Sequence, residues 1–244
     1  MIDNPSRSPL DHAALAADAH LLPIAPGERR LLVLDPTAPQ AIEWTADRLV
    51  SGGVVSFPTD TVYALAASLA HPDALDRIFA LKGRPPGKPL PILLAAAADL
   101  HHMATAIDPR VVTLAARYWP GPLTIVVPTQ QALPSQVVGR HHSVGLRVPN
   151  HFLALELIER AGGVIAATSA NKAGRPPATT ADEVAAAFGD DLDIVLDGGP
   201  VPQGVPSTVV QFTGTDLREL RQGAIPFEHL LSAWREILDG AGAH

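Results

Sequence analysis

Apolar positions along this 244-residue chain fall into two rhythms. Short apolar runs bounded by proline, glycine or polar residues predict strands. They are LLVLD at 31–35, VVSF at 54–57, PILLA at 91–95, LTIVVP at 123–128, SVGLRVP at 143–149, VIAAT at 164–168, IVLDGG at 194–199 and STVVQF at 207–212. LRELRQG at 217–223 reads as a strand or a turn. Helical spacing fills the gaps. Cap and first-turn signals at Asp35-Pro36-Thr37 lead into AIEWTADRLVSGG, which stops at Gly52-Gly53. HPDALDRIFALK (71–82) has helical spacing at Leu75, Ile78, Phe79 and Leu81. Further helices are predicted in ADLHHMA, DPRVVTLAARYW, HFLALELIERAGG, TADEVAAAFGD and PFEHLLSAWREILDG.

Interleaved strands and helices make this an α/β sequence. Several late strands follow one another without helices, so the expected sheet is a mixed parallel and antiparallel open one with flanking helices. No internal repeat, linker or composition break follows residue 30. The expected organisation is a loosely attached tail at 1–30 and one domain at 31–244.

Composition narrows the function classes. Hydrophobic residues make up 47% and charged ones 18%, which reads as a globular chain rather than a disordered one. There is no cysteine, hence neither a disulfide framework nor a thiolate metal site. No apolar run approaches the ~18 residues of a membrane span, and the N-terminus lacks a signal-peptide plan, so a cytoplasmic location is expected. The formal charge of −7 argues against coating nucleic acid, though not against a local basic pocket. Of 18 cationic residues only Lys82, Lys88 and Lys172 are lysines. Either this is chance, or these places want a compact ammonium.

The common nucleotide and hydrolase motifs are absent: no P-loop, no G-x-G-x-x-G after a strand, no G-x-S-x-G. The pairs His101-His102 and His141-His142 are poor metal pairs, since neighbours point to different sides, and no metal site is expected. Unusual polar chemistry gathers instead at strand ends, where open sheets bind ligands. SFPTDTVYAL offers Thr59, Asp60 and Thr61. KGRPPGKPLP carries Lys82, Arg84 and Lys88 on a loop stiffened by prolines 85, 86, 89 and 91. In an extended segment, Lys82 and Arg84 would point to one side. YWPGPLT turns into Thr124. AATSANKAGRPP carries Thr168, Ser169, Asn171, Lys172 and Arg175. VPSTVV and LRQG carry Ser207 and Arg221. Each alone is equally a turn, a cap or a solvated loop. Together, in an acidic protein, they suggest a concave pocket for a polyanion, most simply a nucleoside triphosphate.

At these residues the sequence resembles the YrdC/Sua5 family, the threonylcarbamoyl-AMP synthases. The family's K-x-R and S-x-N pair appears as Lys82-Gly83-Arg84 and Ser169-Ala170-Asn171. Its P-T-[ED]-T-V-Y appears at Pro58 to Tyr63, K-P-L at Lys88 to Leu90 and P-G-P-L-T at Pro120 to Thr124. R-V-P lies at Arg147 to Pro149, S-T-V at Ser207 to Val209 and L-R-x-G at Leu220 to Gly223. The match runs in order over roughly residues 40–230.

The resemblance implies a twisted mixed sheet around a deep basic cleft. It implies a nucleotidyltransferase that forms threonylcarbamoyl-AMP and pyrophosphate from L-threonine, bicarbonate and ATP, with Mg²⁺ carried on the ATP phosphates. The product would pass to a transfer-RNA threonylcarbamoyltransferase complex for t6A modification, with direct transfer-RNA binding weak or absent. Lys82 and Arg84 would be the catalytic cations that hold the triphosphate. Lys88, Thr124, Ser169, Asn171 and Arg221 would line the ATP site with them. Thr59, Arg147, Thr168 and Ser207 would surround threonine. The sequence departs from the family in reading Ala64 and Ala66 where members often have glycines, and Ala173 and Pro177 where they often have polar residues. Leu93 resembles the bacterial short form, and the chain resembles the single-domain type. An RNA-binding module or an inactive paralogue of the same fold is the alternative, and a carbamoyl-handling enzyme of hydrogenase maturation a more distant one.

Overall fold

The computed structural model describes residues 31–38, 40–83, 87–105, 107–202, 204–214 and 216–241. The tail expected at 1–30 lies outside the described residues, as does Arg84. The strands are β1 (Leu32–Leu34), β2 (Val55–Phe57), β3 (Ala64–Ala67), β4 (Ile92–Leu94), β5 (Leu123–Pro128), β6 (Ser143–Arg147), β7 (Val164–Ser169), β8 (Ile194–Leu196), β9 (Thr208–Thr213) and β10 (Asp216–Arg221). The helices are α1 (Ala41–Val50), α2 (Pro72–Lys82), α3 (Leu100–Met103), α4 (Pro109–Tyr118), α5 (Phe152–Arg160), α6 (Ala181–Phe188) and α7 (Phe227–Ala241).

All ten strands join one sheet, in the order β1-β8-β2-β3-β7-β4-β6-β5-β9-β10. The pairs β1/β8, β2/β8, β4/β6 and β5/β9 are parallel and the others antiparallel, so the sheet is mixed as expected. Its two faces bury separate apolar clusters. One joins α1 and α5, through Leu49, Leu157 and Ile158, to Val55, Phe57, Ile165 and Leu196. The other joins α2, α4, α6 and α7, through Leu75, Ile78, Leu114, Val184 and Trp234, to Leu65, Ile92, Leu123, Ile125 and Leu146. Fully burying each such Leu or Ile contributes about 1.5–3 kcal/mol.

Two local expectations are corrected. Asp35 does not cap α1; its carboxylate accepts from Thr37 N and Oγ1 at 2.8 and 2.7 Å in a local turn, and α1 begins after Gln40, at φ 68°. Asp and Thr satisfy each other in short turns as readily as they start helices. The second correction is β3. No strand was predicted at ALAA (64–67), whose first two residues close the strand-end stretch SFPTDTVYAL; alanine carries little strand propensity. It is a fully buried strand between β2 and β7, where small side chains let neighbouring elements close over both faces.

Helix α2 positions the first of the residues singled out from sequence. Pro72 stands at its start, where a missing N–H costs nothing. Ala74, Leu75, Ile78 and Lys82 are its buried residues, so Lys82 occupies the last position of the core-facing stripe. Gly83, at φ 59°, ends the helix in the left-handed conformation. Lys82 is therefore helical, and the extended alternation expected for Lys82 and Arg84 does not hold at Lys82.

Candidate active site

Lys82 is 4% exposed, and its ammonium is tied to the end of β7. Nζ donates to Ser169 O at 2.6 Å, to Asn171 O at 2.9 Å and to Asn171 Oδ1 at 2.9 Å. Ser169 Oγ donates to the same Oδ1 at 2.7 Å. Asn171 Nδ2 donates to Lys172 O and Arg175 O, at 3.2 and 2.6 Å, which leaves its oxygen facing the ammonium. Two segments 87 residues apart thus form one knot. The backbone repeats the link, with Ala173 N donating to Lys82 O at 2.7 Å.

Beside this knot opens a cavity of about 1750 Å³. Of the residues singled out from sequence, Thr59, Lys88, Thr124, Arg147, Thr168, Ser169, Ser207 and Arg221 line it. Lys82 and Asn171 stand behind the lining, which includes their neighbours Gly83 and Ser169. Ala64 lines it too, directly across from Ser169 in the β3/β7 register, whereas Ala66 does not.

At the C-terminal end of β6, Arg147 is held from three directions. Nε donates to Gly121 O at 3.0 Å, one terminal nitrogen to Thr61 Oγ1 at 3.1 Å and the other to Asp60 Oδ1 at 2.6 Å. Both charged side chains are nearly buried, at 8% and 10% exposure. Burial pushes the Arg147 guanidinium toward a lower pKa, and the charge and hydrogen bond of Asp60 oppose it. Thr61 in turn meets Thr59, Oγ1 to Oγ1, at 2.9 Å, and Thr59 Oγ1 donates to Val62 O at 2.7 Å. The Thr59-Asp60-Thr61 turn is therefore a cradle for Arg147 and not only a cap.

A third group joins β5, β9 and β10. Thr124 Oγ1 lies 2.8 Å from Ser207 Oγ, and Arg221 donates to Ser207 O at 2.8 Å and to Ser207 Oγ at 3.1 Å. Gly223 permits this closeness: a Cβ there would come within 2.3 Å of the Ser207 carbonyl carbon.

Five cations line the described part of the cavity: Lys88, Arg140, Arg147, Arg218 and Arg221. Asp76 is the one carboxylate among the described lining residues. In a chain of net charge −7, this concentration defines a basic pocket. Arg140, Gln211 and Arg218 were not singled out from sequence; His141 was weighed only as a metal ligand, and Asp60 only as a strand-end carboxylate, not as the partner of Arg147. That pairing was discoverable, since a buried arginine requires a counter-charge. Arg218 was not: a register shift between Glu219 and Arg221 lets residues three apart both line the cavity.

The Sua5/YciO/YrdC family model, described as "Telomere recombination", matches residues 47–223. The chain belongs to this family. Among curated relatives, a threonylcarbamoyl-AMP synthase of Pyrococcus abyssi is 41% identical over 186 residues, covering 76% of this chain and 55% of the relative. One of Bacillus subtilis is 38% identical over 197 residues, covering 80% and 56%. The chain spans about half the length of these relatives. The crystal structure of P. abyssi Sua5 complexed with L-threonine superposes with a TM-score of 0.78 at 37% identity, covering 83% of this chain and 60% of that one. The K-x-R and S-x-N segments quoted from the sequence meet in space, with Lys82 in direct contact with Ser169 and Asn171.

Proposed function

We propose that this chain is a threonylcarbamoyl-AMP synthase, a nucleotidyltransferase that joins L-threonine, bicarbonate and ATP and releases pyrophosphate. The observation that carries the reading is the Lys82–Ser169–Asn171 knot beside a basic cavity whose walls hold Arg147, Thr124, Ser207 and Arg221. The names of the relatives and the threonine-bound neighbour support it.

In this reading threonine lies at Thr59, Arg147, Thr168 and Ser207. Its amine condenses with bicarbonate to a carbamate, losing water. A carbamate oxygen attacks the α-phosphorus of ATP, a P–O bond forms, and the bond to the β-phosphate oxygen breaks to release pyrophosphate. The protein forms no covalent bond. It contributes position and fixed positive charge, which is how phosphoryl and nucleotidyl transfers are accelerated. Arg84 holds the triphosphate and Lys82, behind the lining with its donors engaged by the knot, acts on it through its charge, with Lys88, Thr124, Ser169, Asn171 and Arg221 around the nucleotide. No cluster of three or more His, Asp or Glu side chains able to hold a metal occurs among the described residues, so Mg²⁺ would be carried by phosphate oxygens and would neutralise their charge. The product would go to a transfer-RNA threonylcarbamoyltransferase complex in the cytoplasm. Among the described residues no helix is long and apolar enough to cross a membrane.

The test is pyrophosphate release from ATP with and without L-threonine and bicarbonate. Release that requires both supports the reading. A folded protein that binds ATP but releases no pyrophosphate under any combination refutes it.

A further inference from the structure

The cavity has a second cationic rim. Gly139 and Ser143 form an isolated antiparallel bridge, with Gly139 N donating to Ser143 O at 2.7 Å. The residues between them, Arg140, His141 and His142, are exposed, and Arg140 and His141 line the cavity. His141 and His142 adopt φ of 56° and 49°. Two successive non-glycine residues in the left-handed region are an unfavourable way to close a short hairpin, for which glycine or asparagine is the usual choice. The turn is nonetheless tied down: Ser143 Oγ donates to Arg140 O at 2.8 Å, and Thr129 N donates to His142 O at 2.8 Å. Strained backbone held in this way clusters at ligand-binding sites.

This turn shares a wall with the proline-stiffened loop. Leu90 N donates to Gln136 O at 2.8 Å, and a Cβ at Gly139 would lie 3.3 Å from Pro89 Cγ. Lys88, Arg140 and Arg218 all line the cavity and make no ion pair among the described residues. The Asp76 carboxylate on this wall has Oδ1 occupied by Gln136 Nε2 at 2.7 Å.

Strand register orders these cations. Ser143, Gly145 and Arg147 share one face of β6 and line the cavity. Thr124, Val209 and Arg221 form one row across β5, β9 and β10, at the Arg147 end. Val126, Gln211 and Arg218 form the next row, level with Gly145. Ser143, at the start of β6, lies about 13 Å from Arg147 at roughly 3.3 Å per residue, and the 140–142 turn lies beyond it. Positive charge therefore runs as a ladder from the threonine end toward the turn.

We propose that Arg140 and His141, with Lys88 and Arg218, form the subsite for the pyrophosphate end of the triphosphate, the leaving group of the reaction. This rests on the synthase reading above. The ladder gives a linear polyanion a direction: the α-phosphate at the Thr124–Arg221 row, the β- and γ-phosphates toward the turn. His141 lines the cavity from this strained turn.

The test is calorimetric titration with inorganic pyrophosphate and, separately, AMP, on the wild type and on Arg140→Ala, His141→Gly and His142→Gly. Both glycine variants relax the backbone, so their melting temperatures should equal or exceed the wild type. Arg140→Ala and His141→Gly should weaken pyrophosphate binding about tenfold or more, the usual scale for a lost charge-assisted contact, and leave AMP binding within about twofold. His142→Gly should bind both as the wild type does. If Arg140→Ala and His141→Gly bind pyrophosphate normally, or lose AMP instead, the subsite is refuted while the synthase reading stands. A wild type that binds neither probe refutes both.

Discussion

Asn171 holds the Lys82 ammonium twice, through its backbone carbonyl and through Oδ1, each at 2.9 Å. With Ser169 O at 2.6 Å, three acceptors meet the three donors of the ammonium. None of these three acceptors is charged, so the knot itself serves to orient the ammonium. Asn171→Ala removes one acceptor and frees Ser169 Oγ. It should cost about 1–3 kcal/mol of stability and lower pyrophosphate release at least about tenfold, read by urea unfolding and initial rates. Full activity in a destabilised variant would show that the knot is only structural.

Asp60 is the counter-charge of a buried arginine. Asp60→Ala leaves the Arg147 guanidinium in the wall with its charge uncompensated. The expected loss is about 3–5 kcal/mol, the scale for breaking a buried pair by removing one partner. Where the variant still folds, KM for L-threonine should rise more than KM for ATP. Equal changes in both would remove Arg147 from the threonine side.

Asp193 couples acidity to stability. Burial works against its charge, but hydrogen bonds from Arg48, Val54 N and Arg77 outweigh burial and hold the carboxyl below its usual range. Arg48 and Arg77 lie at 2.6 and 2.7 Å. A depressed carboxylate contributes stability that is present above its unfolded pKa of about 3.9 and is lost as pH falls through the folded value. Asp193→Asn should therefore be less stable than the wild type at pH 7, and the difference should shrink below about pH 4. Denaturant melts across that range measure it; a gap independent of pH would contradict the assignment.

His151 acts in the same direction at milder acidity. Burial lowers its pKa, with the charge of Asp60 opposing. Its neutral form is thus favoured on folding, and stability falls as pH drops below the unfolded value of about 6.5. His151→Gln should flatten the stability profile as pH falls below about 6.5. An unchanged slope there would place the acid sensitivity elsewhere.

Gly223 allows β10 to approach Ser207. A Cβ would meet Ser207 C at 2.3 Å, Pro206 O at 2.4 Å and Thr208 N at 2.4 Å, all backbone. Gly223→Ala should displace Arg221 from Ser207 and weaken ATP binding about tenfold or more, while the melting temperature falls. Unaltered nucleotide affinity would exclude Arg221 from the site.

Much of this was legible in the chain itself. Runs such as LTIVVP and the spacing of Leu75, Ile78, Phe79 and Leu81 marked strands and helices because strand and helical periodicity are local properties. The ordered motifs marked the family and named Lys82, Ser169, Asn171, Arg147 and Arg221. Other features exist only through contacts distant in sequence. ALAA became a strand because β2 and β7 enclose it, not by propensity. Lys82 reached Asn171 across 89 residues because its helix faces the sheet end. A register shift aligned Arg218 with Arg221, and the sheet order carried Arg140 and His141 to the same cavity as both. Periodicity and motif determine which elements form and which side chains carry chemistry. Only the pairing of strands, set by burial summed over the whole sheet, decides which of those side chains share a wall.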